Sequence, residues 1–162
     1  MVRKIISGGQ TRADRGGLLA GELLGIETGG TAPPGFMTEI GPDLSLKKLG
    51  LVEGEPDPKI FPKRTRKNVE DSDGTLLMGN IDSPGSKLTL RYCNELDKPR
   101  IINPTPSGLR WWLTAYKIEI LNVAGNRESK NPAELEIEGL ERFKTRIKEI
   151  RRSNIERRYG DE

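Results

Sequence analysis

The chain has 162 residues, of which 33% are hydrophobic and 31% are charged, and its formal net charge is +3. This length suits one domain with one core, and no apolar run reaches the ~20 residues that a membrane-spanning helix needs. The chain has no histidine and one cysteine, which excludes a histidine general base, a Ser-His-Asp triad, most zinc sites and an internal disulfide. The single cysteine and an N-terminus without an apolar leader predict a cytoplasmic protein. The basic balance, with a pI of about 9.0, favours an anionic ligand.

The first stretch of the chain predicts a strand, a glycine turn and a helix. Two isoleucines at 5–6 form an apolar run fit for a buried strand, and Gly8 and Gly9 follow where the chain must turn sharply. A helix is predicted from about Ala13 to Gly25. Because a helix start offers free backbone N–H groups and the positive end of a dipole, the turn predicts an anion site. The alternative is that the glycines only permit a tight turn.

Side chains around this turn add hydrogen-bonding groups to the predicted site. Gln10, Thr11, Arg12 and Arg15 carry donors. Asp14 lies near the helix start, where it either favours the helix dipole or accepts a hydroxyl group from a ligand.

A long irregular stretch follows a short predicted strand at 26–30. Residues 31–62 contain six prolines, and structureless loops of that length are usually functional or disordered. We interpret this stretch as a partly ordered flap over the strand ends. Four leucines between 44 and 51 predict either a short helix within it or an anchor for the loop.

The second half of the chain repeats the alternation of helices and strands. The predicted elements are a helix over 63–72, a strand over 75–78, a helix through Leu88, Tyr92 and Leu96, a strand over 100–103, a helix over 109–116, a strand over 118–123 and a last helix from about Pro132. Together with the first half they predict an α/β fold: a single domain over 1–162 whose doubly wound parallel sheet has about five or more strands and helices on both faces.

Four polar clusters follow predicted strands, at 7–15, 29–35, 79–89 and 125–130. Ligands bind beyond the carboxyl ends of the strands in such a sheet, so we expect these clusters to meet at one rim. Glycine backbones together with Arg, Lys, Ser and Thr side chains suit a phosphate or another oxyanion. For 125–130 the alternative is a solvated loop in which Ser129 caps the last helix.

Other conspicuous residues have simpler interpretations. Cys93 is expected in the core, and Trp111 and Trp112 in the core or in contacts with a partner subunit. The basic run at 142–158 contains glutamates and is interpreted as a solvated helix face, so nucleic-acid binding is not expected.

Several segments together resemble the putative molybdenum cofactor carrier family. They are Ile5-Ile6-Ser7-Gly8-Gly9-Gln10-Thr11 with Asp14-Arg15, Gly29-Gly30 to Pro34-Gly35, Arg64-Thr65 with Asn68-Val69 and Asp71-Ser72-Asp73-Gly74-Thr75-Leu76, and Leu121-Asn122-Val123-Ala124-Gly125 with Arg127-Glu128-Ser129-Lys130 and Pro132. The resemblance covers roughly positions 4 to 150. That family belongs to a wider Rossmann-like group, which includes the lysine-decarboxylase-like phosphoribohydrolases and the DNA-processing protein A domain.

The resemblance implies a Rossmann-like, homo-oligomeric carrier, a dimer or tetramer, that binds the molybdenum cofactor (molybdopterin). This cofactor is a pterin with a terminal phosphate and a dithiolene-held oxo-metal, and because it brings its own sulfurs the protein needs no Cys or His ligand. The chain departs from the family at Arg12, where members tend to have glycine, and in the turn at 83–89, which is less glycine-rich.

We therefore expect a carrier that binds a phosphate-bearing small molecule, the molybdenum cofactor or a nucleotide. No catalytic residue and no metal ligand is predicted. The predicted ligand-binding residues are Gly8, Gly9, Gln10, Thr11, Arg12, Asp14, Arg15, Gly30, Arg64, Thr65, Asn68, Gly85, Ser86, Lys87, Thr89, Gly125, Arg127, Ser129 and Lys130.

The alternative is an enzyme like the related phosphoribohydrolases, which cleave nucleoside monophosphates to base and ribose phosphate. Those enzymes resemble this chain at Arg64, but the glutamate expected soon after their glycine-rich turn has no match, because the next carboxylate after Thr89 is Glu95. Hydrolysis through an oxocarbenium-like state needs a carboxylate near the ribose, and Asp14 or Asp82 could substitute.

Overall fold

The computed structural model describes residues 1–10, 13–57 and 59–125. The strands of this part are β1 (Lys4–Ile6), β2 (Glu27–Ala32), β3 (Met37–Thr38), β4 (Gly41–Pro42), β5 (Leu51–Glu53), β6 (Gly74–Met78), β7 (Arg100–Ile102) and β8 (Ile120–Gly125). The α-helices are α1 (Ala13–Leu23), α2 (Ser45–Lys48), α3 (Ile60–Glu70), α4 (Pro84–Glu95) and α5 (Pro106–Ala115). The last predicted helix lies outside the described residues.

Six of these strands form a parallel sheet in the order β5-β2-β1-β8-β6-β7. The last described strand therefore lies in the middle, between β1 and β6. In its register Ile5 pairs with Leu121, and Leu76 pairs with Val123. The arrangement confirms the predicted α/β fold with a Rossmann-like parallel sheet. Since all crossovers between parallel strands are expected to be right-handed, the reversals of direction place helices on both faces.

The main core lies on the face covered by α1 and α5. Ile5, Leu121 and Val123 project from β1 and β8 into one buried cluster with Leu109 and Trp112 of α5. On the opposite face a smaller cluster joins α3 to α4. Its buried members are Val69, Tyr92 and Cys93. The middle of the sheet is thus buried on both sides, which explains the apolar runs of β1 and β6.

Local sequence signals explain where α4 and α5 begin. The Ser83 hydroxyl oxygen accepts a hydrogen bond from the Ser86 backbone N–H, and Thr105 caps Gly108 of α5 in the same way. Each cap is followed directly by a proline, the residue favoured at the first helical position.

Residues 31–62 contain more regular structure than the sequence indicated. β2 extends through Ala32, and α2 and β5 follow it, so this stretch adds an edge strand to the sheet. The expected leucine anchor is present: Leu46, Leu49 and Leu51 pack with Leu18 in a second buried cluster. Three-residue strands among prolines carry too little periodicity to be recognised from sequence.

The tryptophans and the cysteine have different environments. Trp112 is 4% exposed, whereas the neighbouring Trp111 is 67% exposed. Cys93 is buried, as expected, and burial raises the pKa of its thiol. No described helix combines the length and the apolar character that crossing a membrane requires.

Candidate functional site

A cleft opens at the carboxyl ends of β1 and β8, between the sheet and helices α3 and α4. We call it the carboxyl-end cleft. It is partly open to solvent and has a volume of about 60 Å³. This volume suits a single small polar group of a ligand rather than a whole ligand. The predicted site residues that line it are Gly8, Gln10, Asp14, Arg64, Thr65, Asn68, Gly85, Thr89 and Gly125.

Because Gly8 has no side chain, the oppositely charged groups of Asp14 and Arg64 can lie beside it. A Cβ atom at this position would be 3.0 Å from Asp14 Oδ2 and 3.2 Å from Arg64 Cζ. The carboxylate and the guanidinium therefore flank the same gap beside the glycine. Any side chain at residue 8 would displace one of them.

Arg64 forms a positively charged wall of the cleft. The residue is 5% exposed, and one of its terminal nitrogens donates a hydrogen bond to the Gly8 carbonyl at 2.9 Å. The guanidinium also lies 5.4 Å from the centre of the Phe61 ring, within the range of a cation–π contact. Because an arginine stays protonated even when buried, this wall is always charged.

Asp14 is both a structural and a cleft residue. Its Oδ2 accepts the Gln10 backbone N–H at 3.2 Å, and it lies in the first turn of α1, where a carboxylate complements the helix dipole. The Gly9 N–H similarly donates to the Ser7 hydroxyl at 3.4 Å. Two amides of the glycine turn are therefore already used inside the protein.

Two buried asparagines, Asn68 of α3 and Asn122 of β8, line the cleft. Asn68 accepts the Thr31 backbone N–H at 3.0 Å through Oδ1, so its NH₂ group is the part left for the cleft. Asn122 donates one Nδ2 proton to the Thr75 hydroxyl oxygen at 3.1 Å, so its second N–H and its Oδ1 are left. The Asn residues are 4% and 2% exposed, respectively.

Asn122 and Ala124 line the cleft but were missed by the sequence analysis. The signal for Asn122 was a lone polar residue inside the apolar strand Leu121–Val123. It was interpreted as part of a strand and of a segment that resembles the family, and not as a ligand-binding residue. Ala124 offers no side-chain signal.

Gly9 and Gly30 were predicted to bind ligand, but neither lines the cleft. Gly9 has φ +70°, and a Cβ there would be 2.6 Å from Leu51 Cδ2 and 3.0 Å from Leu46 Cδ1, so the residue faces the second apolar cluster. Gly30 lies inside β2 with φ +123°, where a Cβ would be 2.1 Å from the Ser7 carbonyl oxygen. Both glycines serve close packing in this structure.

Three predicted polar residues also lie apart from the cleft. Arg15 hydrogen-bonds Asp43 and the Ser45 hydroxyl, which joins α1 to α2. Desolvation raises the pKa of Asp43, but hydrogen bonds from the Ser45 hydroxyl and backbone and the Arg15 charge outweigh it, so this pKa is below its usual value. The other two residues belong to α4. The Ser86 hydroxyl hydrogen-bonds the hydroxyl of the capping Ser83, and Lys87 is ion-paired with Asp82 at 3.4 Å.

The remaining predicted site residues lie outside the described residues. They are Thr11, Arg12, Arg127, Ser129 and Lys130.

Of the carboxylates considered for hydrolysis, Asp14 alone lines the cleft in the described part of the chain. Asp82 is at the surface beside Lys87, and Glu95 bonds Arg66 at 3.0 Å. Within residues 1–10, 13–57 and 59–125, no group of three or more Cys, Asp or Glu side chains is arranged to hold a metal ion.

Comparison with known proteins gives the chain its relatives. The model of the circularly permutated YpsA SLOG family matches residues 5–141. A solved structure from Syntrophus aciditrophicus SB, described as a putative molybdenum carrier protein, is 34% identical with a TM-score of 0.73, and the match covers 88% of this chain and 94% of that chain. No curated protein matches. The matched length and the identity confirm the family predicted from the sequence, and the chain belongs to the circularly permutated YpsA SLOG family.

Proposed function

We propose that this chain is a cytoplasmic carrier that binds a phosphate-bearing small molecule in the carboxyl-end cleft. The observation that carries the proposal is the convergence of a buried Arg64, the Asn68 amide and three glycines at the carboxyl ends of β1 and β8. Parallel α/β sheets bind their ligands at this edge, where crossovers leave in opposite directions. The relative described as a molybdenum carrier supports the carrier role.

The residues of the cleft fit one end of the molybdenum cofactor rather than the whole of it. The cofactor brings its own metal ligands, so a site without a metal-binding cluster in the described chain suits it. The cleft has a volume of about 60 Å³, whereas whole small-molecule sites have ~300–1,000 Å³. We propose that Arg64 and Asn68 hold a polar end of the molecule while its larger part lies in the open mouth.

The sequence that follows Gly125 contains positively charged residues near the cleft in the chain. Gly125 lines the cleft, and the chain continues from it through Arg127, Ser129 and Lys130. These three residues are two to five positions from a cleft residue, so we propose them as phosphate contacts at the mouth.

A nucleoside-monophosphate hydrolase is the second candidate. The observation in its favour is that Asp14 and Arg64 line the same cleft, because a carboxylate beside the ribose is what such hydrolysis needs. Incubation of the purified protein with AMP distinguishes the two functions. A carrier releases no free adenine, whereas steady release with turnover identifies the hydrolase.

The carrier proposal is tested by identifying what the protein retains. We expect mass spectrometry of the denatured, freshly purified protein to find a phosphate-bearing pterin or nucleotide. Arg64→Gln should lose it, whereas Arg66→Gln should keep it. Arg66 is a matched control, since it lies two positions along α3 at the surface and contacts Glu95. A folded Arg64→Gln variant that retains the same molecule would refute the role of Arg64.

A further inference from the structure

A groove lies at the amino ends of the central strands, at the edge of the sheet opposite to the carboxyl-end cleft. It is partly open to solvent and has a volume of about 710 Å³. Its lining includes Arg3, Ile26 and Glu119, which directly precede β1, β2 and β8. The groove is therefore separate from the carboxyl-end cleft, and we call it the amino-end groove.

Most of the residues that line the amino-end groove are apolar. Ile5 and Leu121 line it from β1 and β8, and Leu109 and Leu113 line it from α5. All four belong to the main core, so the groove continues this core towards solvent. Val2 also lines the groove and packs against the same core, but it is only partly buried. A partner that removes this apolar surface from water would stabilise the fold.

The sequence after Gly125 offers an apolar partner. Residues 126–162 lie outside the described part of the chain. Leu140, Phe143, Ile147 and Ile150 follow one another at intervals of three, four and three residues, the spacing that predicts one apolar face of a helix. Because helices gain most of their stability from packing of such a face, this predicted helix needs an apolar surface to pack on.

The intervening chain has the length to bring this apolar face to the groove. Leu121 lies four residues back from Gly125 on β8, a distance of ~13 Å along the strand. A helix that begins near Pro132 and runs antiparallel to β8 has Leu140 ~12 Å and Ile150 ~27 Å from its start. The apolar face thus begins at the level of the groove and extends past the amino end of the strand.

We propose that the amino-end groove is the docking site of this chain's own residues 140–150, which cover the main core over β1 and β8. A segment tethered to Gly125 has a high effective concentration at the groove, whereas a second copy loses translational and rotational freedom when it binds. The tether therefore favours the chain's own segment over a second copy. This inference does not depend on the proposed function, because the groove and the cleft are separate.

Paramagnetic relaxation in the full-length chain tests the docking. A nitroxide is attached to Thr114→Cys, because Thr114 is exposed and lines the groove, whereas the native Cys93 is buried. We expect strong broadening of the backbone amide signals of residues 140–150. The matched control carries the nitroxide on Lys67→Cys, at an exposed position of α3 on the opposite face of the sheet. Broadening that is not stronger from residue 114 than from residue 67 would overturn the inference.

A mixed sample separates the chain's own segment from a second copy. Chains that carry the nitroxide but no isotope are mixed with isotope-labelled chains that carry no nitroxide. Broadening of residues 140–150 in this mixture arises only between molecules, so it would overturn the inference in favour of a second copy. Sharp signals in the mixture, together with broadening when one chain carries both labels, support it.

Charges on the two sides of the predicted helix test whether its apolar face makes the contact. Ile147→Asp places a carboxylate on that face, and Thr145→Asp places one on the opposite side of a helix with about 3.6 residues per turn. We expect Ile147→Asp to abolish the broadening and to lower the urea midpoint by ~1 M or more, because a packed aliphatic side chain is replaced by a charge. Thr145→Asp should change neither. Persistent broadening in Ile147→Asp, or its loss in Thr145→Asp, would overturn the inference.

Discussion

Gly8 and Gly9 are adjacent, yet the structure assigns opposite consequences to the same substitution. In Gly9→Ala the alanine must adopt φ +70°, which costs an L-residue ~1–2 kcal/mol. The added Cβ atom would also lie 2.6 Å from Leu51 Cδ2 and 3.0 Å from Leu46 Cδ1, and overpacking of this kind costs ~1–3 kcal/mol. The reduced entropy of the unfolded chain offsets ~0.4–1 kcal/mol. We expect the free energy of unfolding to fall by about 2–4 kcal/mol.

Gly8→Ala should act on binding instead. Its Cβ would be 3.0 Å from Asp14 Oδ2 and 3.2 Å from Arg64 Cζ, which are ends of side chains that can shift. We expect the free energy of unfolding to change by ~1 kcal/mol or less. The shift closes the gap beside Arg64, so affinity for the retained ligand should fall at least tenfold.

Urea denaturation and ligand titration of both variants test this contrast. With a urea slope of ~1–3 kcal/mol/M, the Gly9→Ala midpoint should fall by ~1–3 M. Gly85→Ala serves as the stability control, because a Cβ there meets nothing within 4 Å. The reasoning fails if Gly9→Ala unfolds at the wild-type midpoint, or if Gly8→Ala binds ligand with unchanged affinity.

Further expectations concern pH, reactivity and assembly. The folded pKa of Asp43 is lowered, so its stabilisation is complete above its ordinary value of 3.8 and is lost as the pH falls through the folded pKa. Asp43→Asn should therefore cost ~1–3 kcal/mol of unfolding free energy at pH 7, and this difference should shrink in urea titrations below pH 4. Cys93 is buried with a raised thiol pKa, so a disulfide reagent such as DTNB should react with it only after unfolding; fast reaction of the native protein would contradict its core placement. If copies of this chain associate through α5, Trp111→Glu should lower the sedimentation mass, because this indole is 67% exposed; an unchanged assembly would exclude this face.

The sequence predicted the elements whose periodicity is strong. The paired isoleucines of β1, the apolar run of β6 and the spaced side chains of α4 each carry a local signal. β5 was missed because Leu51–Glu53 has only three residues and lies in a proline-rich stretch. The position of β8 between β1 and β6 depends on pairing between residues more than 40 positions apart, so no local pattern contains it.

For the site, residue type alone could not separate equivalent candidates. Gly8 and Gly9 are identical in sequence terms, and what distinguishes their roles is the positive φ of Gly9 and the packing of Leu46 and Leu51 against it. Arg15 was predicted to donate to a ligand, but in the structure it hydrogen-bonds Asp43 instead. Asn122 was passed over because a buried strand hides which of its side chains point towards a cleft.

The central position of β8 has a consequence for biosynthesis. Before the ribosome has delivered residues 120–125, we expect the strands already made to pair only as β5-β2-β1 and β6-β7, each with one edge that β8 covers in the folded sheet. Exposed strand margins invite association between chains. At ~5–20 residues per second, translation leaves these strand edges unpaired for several seconds. Nascent chains of this protein should therefore depend on chaperone protection until β8 pairs with β1 and β6.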